Sequence, residues 1–231
     1  MLISIEHVGH TFDAGTVRAH SVLHDVNLTL TEPRIGIIGH NGSGKSTLIR
    51  MLDGLILPTQ GSVSVDGFDT AKDAAAIRRT TGFIFTDPDH QIIMPTVSED
   101  VAFGLRRSKL PKDEVAARVD AQLVAFGLKQ FSDQPAHLLS GGQKQLLALA
   151  SVLITDPGLL LMDEPTTLLD TRNARMFGAL VADLDQNVIL ATHHLHLLAD
   201  FDRVIVFDEG KVVADGTPSE TIPFYDALME N

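Results

Sequence analysis

Residues Gly39-His40-Asn41-Gly42-Ser43-Gly44-Lys45-Ser46 restrict what this chain can fold into more than any other stretch. The spacing is Gly, four residues, then Gly-Lys-Ser. It follows the apolar run Ile35 to Ile38, read as a buried strand, and opens a segment from Gly44 to Leu55 in which apolar residues return at helical spacing. A strand, a glycine-rich turn and a helix start together make a phosphate-binding loop. The glycines let backbone N–H groups close around phosphate oxygens, and the helix N-terminus adds its dipole. On this reading Lys45 holds the β and γ phosphates, Ser46 holds Mg²⁺, and residues 39–46 with the adjoining Thr47 are the contacts.

The rest of the pattern fits an α/β domain. Leu2 to Val8 and Val22 to Leu30 alternate as strands, Ser62 to Asp66 is another, and Gly82 to Phe85 is a short buried one. From Asp87 to Thr155 the pattern is mostly helical: Ser98 is expected to open a helix to Arg107, Pro111 one to Phe126, and Gly142 one to Ile154. Afterwards the apolar runs Leu159 to Met162, Val188 to Ala191 and Val204 to Phe207 alternate with helices, as in a parallel sheet covered on both faces. Arg203 to Asp215 reads as a hairpin turning at Asp208-Glu209-Gly210. We therefore expect one domain, residues 1–231, with a core of 1–86 and 156–231 and a helical subdomain of 87–155.

Two further constellations carry chemistry. Leu159 to Met162 leads into Asp163-Glu164-Pro165, which places two carboxylates at the end of a buried strand, where open α/β sheets bind ligands. Asp163 is then placed to hold Mg²⁺ through water, and Glu164 is the candidate base that orients or deprotonates an attacking water. Alone, such a pair is also a common helix cap. Leu139-Ser140-Gly141-Gly142-Gln143 puts a Ser and two Gly at a helix start, a second nest for an anion.

Composition narrows the setting. The formal net charge of −12 opposes binding to nucleic-acid backbones, so no nucleic-acid partner is expected. Cysteine is absent, which excludes disulfides and thiolate metal sites. The longest apolar run, Leu146 to Ile154, falls far short of the ~20 residues of a spanning helix. Met1 to His7 alternates like a strand and is not expected to be a signal peptide. Any membrane role must come through a partner.

Walker A at Gly39 to Ser46, an LSGGQ signature at Leu139 to Gln143 and Walker B at Leu159 to Glu164 together resemble an ABC ATPase over nearly the whole chain. The resemblance implies the ABC ATPase fold, with a RecA-like core sheet, an N-terminal antiparallel β region and a helical subdomain. It implies ATP and Mg²⁺ as cofactors and a head-to-tail pair of ATPase subunits, expected to be identical. Each ATP would lie between one subunit's Walker A and the other's Ser140, Gly141, Gly142 and Gln143. It also carries over His193 as the switch histidine, Leu169-Asp170 as the D-loop, and Phe12 as the aromatic on adenine. Read from the residues alone, a Phe in an N-terminal hairpin is equally a core residue. Thr192-His193 at a strand end is placed to bond the γ-phosphate and arrange the water. His194 and His196 read as surface residues.

The segment Asp87 to Gly104 is similar to the loop after the Q-loop in energy-coupling-factor ATPases, which drive uptake of vitamins and of cobalt or nickel. That likeness implies a transport ATPase at the cytoplasmic face of the cell membrane, held there by a transmembrane coupling subunit and a substrate-binding membrane subunit. Two positions depart from the family. Thr86 stands where the Q-loop glutamine is usual, with Gln91 too far along to be taken as its substitute, and Leu168 stands where relatives often have a small residue. The sequence ends soon after Gly216-Thr217-Pro218, which favours a short branch such as the biotin transporter ATPase.

Overall fold

A computed structural model describes residues 1–230. In chain order it forms β1 (Ile3–Phe12), β2 (His20–Leu30), β3 (Arg34–Ile38), α1 (Lys45–Leu52), β4 (Gln60–Val65), β5 (Phe68–Asp69), α2 (Ala74–Ile77) and β6 (Thr81–Ile84). Then come α3 (Val97–Phe103), α4 (Lys112–Ala125), α5 (Gly141–Leu153), β7 (Leu159–Asp163), α6 (Thr171–Ala182) and β8 (Asn187–Ala191). The last elements are β9 (Arg203–Asp208), β10 (Lys211–Gly216) and α7 (Pro218–Met229). These residues group into two compact units: Met1–Thr81 with Gly158–Glu164 and 184–230, and Gly82–Pro157 with Pro165–Asp183.

The first unit contains two sheets. An antiparallel one runs β2-β1-β4-β5, with Ile3 opposite Leu30 and Val65. The other places its strands in the order β10-β9-β3-β8-β7, where β9, β3, β8 and β7 are parallel and β10 folds back antiparallel. The expected alternation of apolar runs with helices is therefore a mainly parallel sheet. Ile35, Ile37, Ile38, Leu160 to Met162, Val188, Ile189 and Val204 to Phe207 are all buried, which is why these strands read as unbroken apolar runs rather than alternating ones. The β9–β10 turn falls at Glu209 and Gly210, with φ of 45° and 75°; positive values at both central residues suit the right-handed twist of a two-residue hairpin.

The second unit is helical, and its boundaries differ from the expected 87–155. Residues 82–86 and 156–157 belong to it, and so do 165–183, where α6 packs on α5. Helix α3 starts earlier than Ser98. Thr96 is its N-cap, accepting from Glu99 N while the Glu99 carboxylate accepts from Thr96 N, so the chain uses a capping box two residues upstream. Asp100 is 3% exposed and accepts from the backbone N–H groups of Ile93 and Met94 and from Ser151 Oγ, at 2.9, 3.1 and 2.8 Å. One buried carboxylate thus fastens the 93–96 segment to α3 and α5. Helix α7 lies beyond the elements the apolar pattern marked, although Thr217, Pro218 and Glu220 form a capping box with proline in the first turn.

Candidate nucleotide site

The loop between β3 and α1 depends on glycine at three points. Gly39 has φ of 153°, and a Cβ there would lie 2.2 Å from the Phe207 carbonyl oxygen and 2.6 Å from Ser43 Oγ. Gly42 and Gly44 have φ of 86° and 104°, the left-handed region that other residues avoid. Gly44 is the N-cap of α1 and no side chain caps that helix end. Its first N–H groups therefore remain for an external acceptor. Ser43 Oγ is buried and has no hydrogen-bond partner among the described residues. An orphaned hydroxyl inside a cradle of glycines and uncapped N–H groups is the polarity an anion would satisfy, so the loop fits a phosphate.

Lys45 is 5% exposed and donates to the carbonyls of Gly39 and His40 at 2.7 and 3.1 Å. Burial pulls its pKa below the ordinary lysine value, and the charges of Glu164 and Asp163 pull it back up. Its ammonium stands 3.7 Å from Glu164 Oε1. Ser46 Oγ donates to Asp163 Oδ1 at 2.6 Å, and Arg50 Nη2 to Asp163 Oδ2 at 3.0 Å. A hydroxyl and a carboxylate in contact are hard oxygen donors, the ligand type Mg²⁺ prefers. Thr47 is buried one residue further along α1.

Glu164 follows β7 with φ of 53°, unusual for a residue with a side chain, and its N–H donates to the Ala191 carbonyl at 2.9 Å. This turn aims the carboxylate both at Lys45 and at His193, whose Nδ1 bonds Glu164 Oε2. His193 follows β8 through the buried Thr192, whose N–H donates to the Ile37 carbonyl at 3.1 Å. The His194 ring lies 4.1 Å from that of His193. Burial, then the neighbouring His193 and His196, holds the pKa of His194 below the ordinary value. Strand ends β3, β7 and β8 thus bring Lys45, Ser46, Asp163, Glu164 and His193 to one place.

A groove of about 600 Å³ beside the loop is lined by His20, Ser21, Val22, His24, His40 and Gly42 together with the β9–β10 turn and Lys211. Phe12 is not among its lining residues; it is 40% exposed and meets the His10 ring edge to face at 4.4 Å. In the second unit, Ser140 is the N-cap of α5. Its hydroxyl accepts from Gln143 N at 3.4 Å, and Gln143 Oε1 accepts from Ser140 N at 2.9 Å. Gly141 is exposed, while a Cβ on Gly142 would meet Asn173 at 2.8 Å. Asp170 caps α6 by accepting from Asn173 N at 2.8 Å. Exposed Leu168 precedes it.

Gln91 accepts from Phe85 N at 3.2 Å and donates to the Phe83 carbonyl at 3.1 Å, so its amide extends β6 as an extra rung. Asp89 pairs with Lys144 of α5 at 2.6 Å. Neither pairing was legible from spacing. Arg50 also escaped the sequence reading, although it is four residues after Ser46 and so on the same helix face.

The sequence model of the ABC transporter family matches residues 23–167. The chain is 49% identical over 228 residues to an ABC transporter ATP-binding protein of Deinococcus radiodurans, covering 99% of each. It is 45% identical to the biotin transport ATP-binding protein BioM of Rhizobium etli (97% of this chain, 98% of that protein). It is 42% identical to the energy-coupling factor transporter ATP-binding protein EcfA1 of Caldanaerobacter subterraneus (99% and 85%). Among solved structures, cbiO1 of Clostridium perfringens, part of the ABC transporter complex cbiONQ, superposes with a TM-score of 0.83 at 32% identity, over 99% of this chain and 93% of that one. A dimeric ATP-binding cassette bound to ADP and Pi superposes with a TM-score of 0.82 at 28% identity, over 94% and 98%. With its phosphate-binding loop, paired carboxylates and histidine in one cluster, this chain belongs to the ABC transporter family as an ATP-binding and ATP-hydrolysing subunit.

Proposed function

We propose that the chain energises an energy-coupling-factor type importer, with biotin as the favoured cargo. It would act as a head-to-tail pair of identical subunits on the cytoplasmic side of membrane partners. The observation that carries the catalytic part is the convergence of Lys45, Ser46, Asp163, Glu164 and His193 at neighbouring strand ends. Support for the transport part is the likeness to BioM and EcfA1 along nearly the whole chain. No described helix is long and apolar enough to cross a membrane, so attachment would be through partners.

In this reading Lys45 exchanges the Gly39 and His40 carbonyls for β- and γ-phosphate oxygens. Anionic phosphate offsets the desolvation that lowers its pKa. Ser43 Oγ gains the acceptor or donor it lacks. Ser46 and Asp163 would hold Mg²⁺, which supplies positive charge to the phosphate oxygens as the terminal bond breaks. Glu164 takes the proton of the attacking water, and His193, bonded through Nδ1, fixes which carboxylate oxygen faces it. Ser140 to Gln143 would meet the γ-phosphate bound by the partner, and Phe12 the adenine.

Lys45→Ala should weaken ATP binding roughly 30- to 150-fold, the loss of a charge-assisted bond worth about 2–3 kcal/mol. Ser140→Arg should leave affinity of the isolated subunit unchanged but abolish ATP-driven pairing, read by sedimentation. Equal loss of affinity in both would refute the head-to-tail assignment. Vesicles reconstituted with the co-purifying membrane subunits should accumulate labelled biotin when ATP is supplied. Uptake of cobalt or nickel instead would move the cargo within the same class, and uptake of neither would remove the importer reading.

A further inference from the structure

Asp163 is 1% exposed, and its two carboxylate oxygens have different partners. Oδ1 accepts from the Ser46 hydroxyl and Oδ2 from the Arg50 guanidinium. Ser46 and Arg50 are four residues apart on α1, so one helix face presents both donors to the end of β7. Lys45 pairs with Glu164, which also bonds His193, and Arg50 pairs with Asp163, whose charge reaches Lys45 too. Arg50 is only partly sunk, with a side chain 41% exposed, and its Nε is buried without a hydrogen-bond partner among the described residues. The guanidinium is therefore held incompletely, through its terminal nitrogen, and has solvent to move into.

A divalent cation on the Ser46–Asp163 edge changes this balance. It brings two positive charges to a carboxylate that already faces the Arg50 guanidinium, and like charges at such range repel. We propose that Arg50 is a positioning residue that serves as the counter-cation of Asp163 while no metal is bound, and gives up Oδ2 when Mg²⁺ takes the Ser46–Asp163 edge. This rests on the reading of that edge as the metal site. Arg50 would keep a buried carboxylate balanced and aimed at Ser46 between turnovers, when nucleotide and metal have both left. The same contact makes Arg50 a competitor of the metal, so its removal should hurt the metal-free protein and favour the metal-bound one.

Arg50→Met and Arg50→Gln separate these effects from ordinary packing. In EDTA, the melting temperature of either variant should fall by on the order of 5 °C relative to wild type, as for a buried charge that loses its partner. With ADP and Mg²⁺ the deficit should shrink by at least half. By linkage, Mn²⁺ binding in the presence of ADP, measured by electron paramagnetic resonance, should tighten about tenfold in both variants. Arg50→Lys, which keeps a cation, should stay near wild type in both measurements. Arg50→Gln keeps a side-chain donor and decides the matter if Arg50→Met does not fold. An equal deficit with and without Mg²⁺, or Mn²⁺ affinity unchanged or weakened, overturns the role of Arg50. If wild type itself gains no stability from Mg²⁺ beyond that from ADP alone, it is the metal-site reading that fails.

Discussion

Helix α1 begins behind Gly44, in a left-handed backbone and with no capping side chain, whereas α5 begins behind Ser140, whose hydroxyl and the Gln143 amide cap each other. Both starts are glycine-rich and both looked like anion nests in the sequence. The first leaves its N–H groups open and surrounds them with buried charge. The second satisfies Ser140 N and Gln143 N from its own side chains and lies exposed. The open helix end offers all its first N–H groups to an anion, while the self-capped one has the Gln143 N–H already engaged. The proposed head-to-tail pairing gives this difference a use, with the α1 loop binding nucleotide by itself and residues 140–143 recruited later by a partner's bound phosphate.

The comparison breaks most sharply at the chemistry attached to the first start. Glu164→Gln should lower ATP turnover by roughly 10²- to 10⁴-fold, the usual contribution of a positioned base, with ATP affinity nearly unchanged. Turnover close to wild type in a phosphate-release assay would take Glu164 out of the role. A smaller effect separates the glycines themselves. Gly44→Ala forces a side chain into φ of 104° and sets its Cβ 2.6 Å from Leu23 Cδ2, so urea unfolding should show a loss of about 1–3 kcal/mol. Gly141→Ala meets nothing nearer than the Leu168 carbonyl at 4.0 Å, and a helical alanine should be neutral or stabilising by up to ~1 kcal/mol. The smallest effect concerns the self-cap. Ser140→Ala should cost about 1 kcal/mol of stability while leaving ATP affinity of the isolated subunit intact. A fall in that affinity would erase the distinction between the two starts.

What was legible in the sequence follows the same line. The β3–loop–α1 unit, the strand before Asp163 and the helix behind Ser140 could be read because their chemistry depends on neighbours a few residues away. Partners set by the tertiary fold could not. Arg50 meets Asp163 across 113 positions, and Asp100 meets Ser151 across 51. Gln91 lay too far along the chain to stand in for the residue replaced by Thr86, and the structure puts its amide to work on the backbone of β6 instead. The missed start of α3 is a different kind of error. Thr96 and Ser98 are both acceptable caps, and only the Glu99 three residues after Thr96 favours the earlier one. Phe12 was readable as core or as an adenine contact, and its packing on His10, away from the lining of the groove, leaves the second role to be tested.

The backbone of Glu164 has a consequence for how this protein can change over generations. A φ of 53° costs a glutamate on the order of 1 kcal/mol or more, whereas asparagine or glycine occupies that region more readily. Substitution by asparagine or glycine therefore relieves the main chain while removing the carboxylate, so under the proposed role of Glu164 a sturdier backbone at this position would come with lost turnover. Libraries screened for heat resistance alone should therefore enrich for asparagine or glycine at residue 164, and the proposed role of Glu164 makes those cassettes silent.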